Sequence, residues 1–115
     1  MLPIVVREDD KEKFTPPAPV ASPVGMPVAM SCTAGHRTVP DGRGTTGVWE
    51  CSIGRFRRQV AEAEYSFIID GEGSFTPDGC APIEFCAGDA LYFPANTQGE
   101  WEILKVVRKA YLILS

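Results

Sequence analysis

The stretch that decides the fold is Glu64-Tyr65-Ser66-Phe67-Ile68-Ile69-Asp70-Gly71-Glu72-Gly73. Two further segments complete it, Pro77-Asp78-Gly79 and Gly88-Asp89-Ala90-Leu91-Tyr92-Phe93-Pro94-Ala95-Asn96. Turn residues near positions 71, 79, 88 and 96 separate short apolar runs at intervals of eight or nine residues. Strands with this spacing are typical of an antiparallel sandwich or a small barrel. The pair Asp70-Gly71 further predicts a hairpin turn.

A helix is the competing interpretation upstream of this stretch. Phe56, Val60, Ala63 and Phe67 fall at helical spacing. The following run of aromatic and β-branched residues, 65–69, favours a strand, and a helix would have to end abruptly at the predicted turn. We therefore predict strands here. Further strand candidates are residues 28–32, 48–51, 83–85, 90–93, 101–103 and 106–114, with a short one at 3–6.

Both faces of the run 65–69 are largely apolar. Tyr65, Phe67 and Ile69 share one face, and Ser66 and Ile68 share the other. Such a strand needs cover on both sides, one from the barrel interior and one from an outer layer or a second subunit. We expect a homodimer.

Length and composition restrict the function classes. The chain has 115 residues, enough for one domain, and a net charge of -4, which argues against nucleic acid or an anionic membrane as partner. No apolar run approaches the roughly 18 residues of a membrane-spanning helix. Acidic residues stand near the start, where a secretory signal would be basic and then apolar, so we expect a cytoplasmic protein.

Residues 1–46 form the less regular part, and residues 47–115 the regular core. Prolines at positions 16, 17, 19 and 23 predict an extended segment that packs on the barrel or on a partner subunit. His36 is the single histidine and is interpreted as a solvated loop residue. The four cysteines have no metal-site spacing, and we expect buried or half-buried free thiols.

Two motifs resemble those of the cupins, RmlC-like jelly-roll barrels. Glu64 is followed after six residues by Gly71, and Gly88 is followed after five by Pro94. The phrases Gly47-Val48-Trp49-Glu50-Cys51 and Gly99-Glu100-Trp101-Glu102 are similar to the small single-domain cupins related to ureidoglycine aminohydrolase. The resemblance implies an all-β double-stranded β-helix, a jelly-roll barrel, with an extended N-terminal segment.

The resemblance also implies a metal site whose ligands are largely missing here. The family's two first-motif histidines correspond to Arg58 and Val60, or to Arg57 and Gln59, and its second-motif histidine corresponds to Gly99. Only the glutamate, Glu64, remains. We therefore predict no metal and no cofactor, because a lone carboxylate holds a transition metal poorly. The small residue at position 99 predicts a void, unless Trp101 fills it.

If the resemblance holds, Glu64 points into the barrel. Ser66, Arg58, Tyr92 and Trp101 are the candidate ligand-binding residues beside it, with Arg58 as its ion-pair partner. One hypothesis is a module that binds a small polar or anionic molecule. The alternative is a hydrolase or isomerase acting on a ureido, sugar or organic-acid substrate, with Glu64 as acid/base. A third is a dimeric accessory protein with a filled barrel.

Overall fold

The computed structural model describes residues 2–8 and 13–115. Within these residues the chain forms eight antiparallel strands. They are β1 (Ala18–Pro19), β2 (Met30–Thr38), β3 (Gly44–Cys51), β4 (Gly54–Val60), β5 (Glu64–Pro77), β6 (Ile83–Cys86), β7 (Ala90–Phe93) and β8 (Thr97–Leu114). The described residues contain no helix long and apolar enough to cross a membrane.

Two long strands, β5 and β8, are the central strands of the sheet that forms the barrel wall. Residues 97–103 of β8 lie between β4 and the second half of β5, whereas residues 107–114 lie between β3 and the first half of β5. Strand β7 pairs with the first half of β5, and β6 pairs with its second half. Because both long strands bend and contribute to two layers, the chain folds as an all-β jelly roll, which confirms the predicted class.

The competing helix is absent, since β4 and β5 occupy that region. The hairpin predicted at Asp70-Gly71 is wrong, because β5 continues through these residues to Pro77. The pairing register with β8 shifts between Ile68 and Gly73, which marks β-bulges. Gly71 has a φ of 97°, and a Cβ there would lie 2.3 Å from the carbonyl oxygen of Val106. The glycine thus permits a bend in one strand rather than a turn between two.

Strand β2 overlaps the strand candidate 28–32 but extends to Thr38, through residues that the sequence predicts to form a loop. Strand β2 pairs with β3, although its composition is polar and most of its residues are at least partly exposed. Among the described strands, only the two-residue strand β1 pairs with the other side of β2, so most of β2 is left exposed and gives a weak sequence signal. The short strand predicted at residues 3–6 is wrong, since these residues form no strand.

The segment before β2 packs on the chain's own barrel. The backbone N–H groups of Thr15 and Val24 donate hydrogen bonds to the carbonyls of Thr33 and Arg55. Residues 1 and 9–12 of the predicted N-terminal segment lie outside the described residues.

An aromatic cluster around Trp101 fills one half of the barrel. The Trp101 side chain is fully buried, and its ring centroid lies 5.4–6.4 Å from those of neighbouring rings. These rings belong to Trp49, Phe56, Phe75, Phe85 and Phe93. The cluster surrounds the first part of β8 and leaves space beside the second part.

Candidate functional site

The site is built around the carboxylate of Glu64, the first residue of β5. Its side chain points inward and is buried. Lys109 Nζ donates to Oε2 over 2.7 Å, and Ser66 Oγ donates to the same oxygen over 2.8 Å. Arg58 Nη2 approaches the other oxygen, Oε1, at 3.3 Å. Two cations and a hydroxyl therefore share one carboxylate.

Lys109 lies at the closed end of the site. It belongs to β8, which lies between β3 and β5 here, and it pairs with Trp49 of β3 on one side and with Ile68 of β5 on the other. Only 1% of its surface is exposed. Its ammonium lies 4.8 Å from the Trp49 ring, 5.0 Å from the Trp101 ring and 5.9 Å from the Phe93 ring. Aromatic faces and Glu64 thus replace water around the charge.

Burial and charge pull the pKa values of this pair in opposite directions. Burial lowers the pKa of Lys109 to about 8, and the attraction of Glu64 only partly opposes this effect. Burial by itself raises the pKa of Glu64, but the Lys109 and Arg58 charges and the hydrogen bonds bring that pKa below its ordinary value. Glu64 is therefore held as a carboxylate.

A tyrosine and a histidine form the opposite wall. Tyr111 Oη and His36 Nδ1 share a hydrogen bond of 2.6 Å. Burial, together with the Glu64 charge, raises the pKa of Tyr111 to about 12, so its hydroxyl stays protonated. Gly47 makes room for this hydroxyl, because a Cβ there would lie 2.6 Å from it.

These groups line one cavity of about 320 Å³. Its walls are formed by Thr33, His36, Trp49, Arg58, Glu64, Lys109, Tyr111 and Ile113. The Arg58 side chain is 31% exposed, so it connects the buried end of the cavity with solvent. Among the lining residues two are cationic and one is anionic, which gives the cavity an excess of positive charge.

The predicted site residues divide into three groups. Glu64, Ser66 and Arg58 come together as described. Trp101 does not line the cavity but lies beneath the Lys109 ammonium. Tyr92 is a correction: it points out of the barrel and is 60% exposed, because it lies opposite Tyr65 on the outer face of β7 and β5.

The void predicted at Gly99 is also absent. A Cβ at this position would lie 2.7 Å from a ring carbon of Phe75 and 2.4 Å from the carbonyl oxygen of Thr76. Phe75, and not Trp101, occupies the space. The cavity lies instead beside the second part of β8.

Sequence reasoning missed three functional candidates: Lys109, Tyr111 and His36. A signal for Lys109 exists, because the alternation Val107, Lys109, Tyr111, Ile113 places the lysine on an otherwise apolar inward face. His36 belongs to β2 and not to a loop, and its hydrogen-bond partner Tyr111 is 75 residues away in the sequence.

The fold and the two-part motif have a counterpart among known protein families. A family model described as the EutQ-like cupin domain matches residues 38–111, more than half of the chain. The chain belongs to this family. No curated protein sequence matches it significantly.

Solved structures share the fold of this EutQ-like cupin domain. A Salmonella typhimurium protein described as ethanolamine utilization protein Q aligns with a TM-score of 0.63 and 19% identity, over 76% of this chain and 70% of its own. The EutQ protein of Clostridium difficile aligns with a TM-score of 0.65 and 17% identity, over 75% and 63%. A Pseudomonas syringae protein of the DUF861 family gives a TM-score of 0.73 and 16% identity, over 87% and 43%. The chain thus spans less than two thirds of the latter two proteins.

The residues of this EutQ-like cupin domain do not fit the metal that the cupin resemblance implies. In the described residues, 2–8 and 13–115, no three His, Cys, Asp or Glu side chains lie together as a metal site. More directly, the remaining carboxylate, Glu64, already faces an ammonium and a guanidinium. These groups carry no free lone pair and repel a divalent cation. Lys109 supplies an internal positive charge beside Glu64.

Proposed function

We propose that this EutQ-like cupin domain protein binds a small carboxylate in its barrel cavity without a metal ion. The supporting observation is the excess of positive charge that Arg58 and Lys109 create over Glu64 in an enclosed space. A charged donor in such a place forms stronger hydrogen bonds to an anion than it does in water. A cavity of about 320 Å³ suits a molecule of a few heavy atoms and argues against the filled-barrel hypothesis.

Arg58 is the residue to test, because its guanidinium is the more exposed of the two cations. NMR titration with propionate, followed at the indole N–H signals of Trp49 and Trp101, measures the affinity. Since a charge-assisted hydrogen bond contributes about 1.5–3 kcal/mol, Arg58→Gln should weaken binding about ten- to a hundredfold.

Two controls accompany this experiment. Arg57→Gln is the matched variant, because Arg57 is the neighbouring residue on the outer face and pairs with Asp78 at 2.8 Å. It should leave binding unchanged, and propionamide, a neutral analogue of the same shape, should not compete. Equal loss in both arginine variants, or equal binding of the amide, would show that charge in the cavity does not select the ligand.

The alternative from the sequence is a hydrolase or isomerase with Glu64 as acid/base. Its lowered pKa argues against this role, because general acid–base catalysis at neutral pH favours a carboxyl group whose pKa is raised. All the polar contacts to its two oxygens are also hydrogen-bond donors, which stabilise the charged form.

We also propose the cytoplasm as the compartment. All four cysteines are free, and cytosolic reductants keep thiols in this state. Cys51 is buried and Cys32 partly buried as expected, but Cys80 and Cys86 are exposed, which corrects the prediction of burial for these two.

A further inference from the structure

Lys109 differs from an ordinary surface lysine in its position. Lys105, four residues earlier in the same strand, has a side chain that is 71% exposed and lies 3.8 Å from Glu72. The Lys109 side chain is 2% exposed and ends inside a cavity that a small molecule can enter. A primary amine at the closed end of a ligand cavity is a potential nucleophile.

The surroundings of this amine favour its reactive form. Burial between the Trp49 and Trp101 rings disfavours the ammonium, and the pKa of about 8 leaves about a tenth of the amine neutral at pH 7. An exposed lysine, with an ordinary pKa near 10.4, is almost entirely protonated at that pH.

The geometry of Glu64 indicates which ligand fits. Lys109 contacts one of its oxygens at 2.7 Å, and Arg58 contacts the other at 3.3 Å. The two cationic groups therefore approach one carboxylate, each at a different oxygen. A small oxo acid has a carboxylate and a carbonyl on neighbouring carbons, so it can present the first to Arg58 and the second to Lys109.

We propose that Lys109 forms a reversible imine with the carbonyl carbon of a small 2-oxo acid whose carboxylate is held by Arg58. This proposal rests on the proposed function, since it requires a carboxylate in the cavity. It adds a covalent step and a substrate class.

The step balances without any further reagent. Lys109 first releases one proton to solvent, and its nitrogen lone pair forms a bond to the carbonyl carbon while the C=O π electrons move to oxygen. A proton then passes from nitrogen to that oxygen by exchange with solvent, while Glu64 stays a carboxylate beside the developing positive charge. The hydroxyl leaves as water after taking one proton from solvent, and the product is an iminium ion. Its single positive charge occupies the former place of the ammonium, beside Glu64 and the aromatic rings.

Borohydride trapping tests the proposal on the unmodified protein. The protein is incubated at pH 7 with pyruvate as probe and sodium cyanoborohydride, and peptide mapping by mass spectrometry locates the reduced adduct. We expect the adduct on Lys109 at least tenfold above that on Lys105, although Lys105 is far more accessible. Acetaldehyde, a carbonyl compound without a carboxylate, should lose this preference, and so should pyruvate with Arg58→Gln.

The outcomes separate the two proposals. If adducts follow exposure, with Lys105 modified before Lys109, the imine proposal is wrong. If propionate and pyruvate bind in the NMR titration but Lys109 stays unmodified, the imine proposal fails while the carboxylate site stands. If neither acid binds and Lys109 is unmodified, both fail. Since the comparison is made within one folded chain, it does not depend on a lysine variant that could unfold.

Discussion

Glu64 and Lys109 form a buried charge pair, and removal of one partner leaves the other charge uncompensated. We expect Glu64→Gln to lower the free energy of unfolding by about 3–5 kcal/mol, measured by urea denaturation. The double variant Glu64→Gln with Lys109→Met should recover part of this loss, because it removes both charges. Glu84→Gln, on the exposed part of β6, should change the free energy of unfolding by less than about 0.5 kcal/mol. Additive effects in the double variant would contradict direct pairing.

The same pair predicts how stability depends on pH. The pKa of Lys109 is about 8 in the folded chain and near 10.5 in the unfolded chain, so the unfolded chain holds more protons between these values. The contribution of Lys109 to the free energy of unfolding therefore increases as the pH rises from about 8 to 10.5. The pKa of Glu64 is lowered on folding, so its contribution is present above its unfolded value and is lost as the pH falls through the folded value.

Urea midpoints for the wild type and Lys109→Met between pH 7 and 11 measure the contribution of Lys109 to the pH dependence of stability. Across this range the wild type should gain stability relative to Lys109→Met, because only the wild type releases the Lys109 proton on folding. A parallel pair of curves over this range would mean that the folded pKa of Lys109 is not lowered.

At the scale of single residues, the sequence allows prediction of some contacts but not of others. Arg58 and Glu64 are six positions apart across a short turn, so local spacing is enough to bring them together. Lys109 is 45 residues from Glu64 and reaches it only because β5 and β8 pair in one particular register. That register depends on bulges in the long strands, which local propensity does not reveal.

At the scale of elements, turn residues have two uses that look alike in sequence. Asp70-Gly71 has hairpin chemistry, yet Gly71 serves a bulge, because the carbonyl of Val106 passes too close for any side chain. Strand periodicity correctly predicted β4, β6, β7, the first part of β5 and both parts of β8. It could not show that residues 97–114 are one continuous strand, since a bent strand with a few exposed residues in the middle resembles two strands and a loop.

The close pairing of β5 and β8 near Gly99 allows a direct test of packing. Gly99→Ala should destabilise the fold by about 1–3 kcal/mol, because its Cβ would overlap the Phe75 ring and a backbone carbonyl that cannot easily move. Thermal or urea unfolding measures the change. Gln98→Ala is the matched control, since Gln98 is the adjacent exposed residue of β8 and should have a much smaller effect. If Gly99→Ala is as stable as the wild type, there is free space at this position, as the sequence suggested.

At the scale of the whole molecule, one end of the barrel is filled with aromatic rings and the other contains a charged cavity. The chain carries a net charge of -4, so the positive cavity is a local exception on an acidic protein. This local field stabilises a small anion bound in the cavity, whereas the rest of the surface would repel an extended polyanion. This contrast favours a small ligand over a macromolecule.

The outer face of the barrel carries exposed aromatic side chains that a second copy of the chain can cover. Tyr65, Phe67 and Tyr92 are 48%, 43% and 60% exposed and lie side by side on β5 and β7. We propose that a second copy of the chain covers this face, because large aromatic side chains that adjoin on a surface gain free energy when buried. Light scattering after size exclusion at micromolar concentration should give the dimer mass, and Phe67→Ser combined with Tyr92→Ser should give the monomer mass. Ile83→Ser, at a 48% exposed site on β6, is the control and should remain dimeric. A monomeric wild type would contradict the proposal, and a dimer that survives the double substitution would place its interface elsewhere on the barrel.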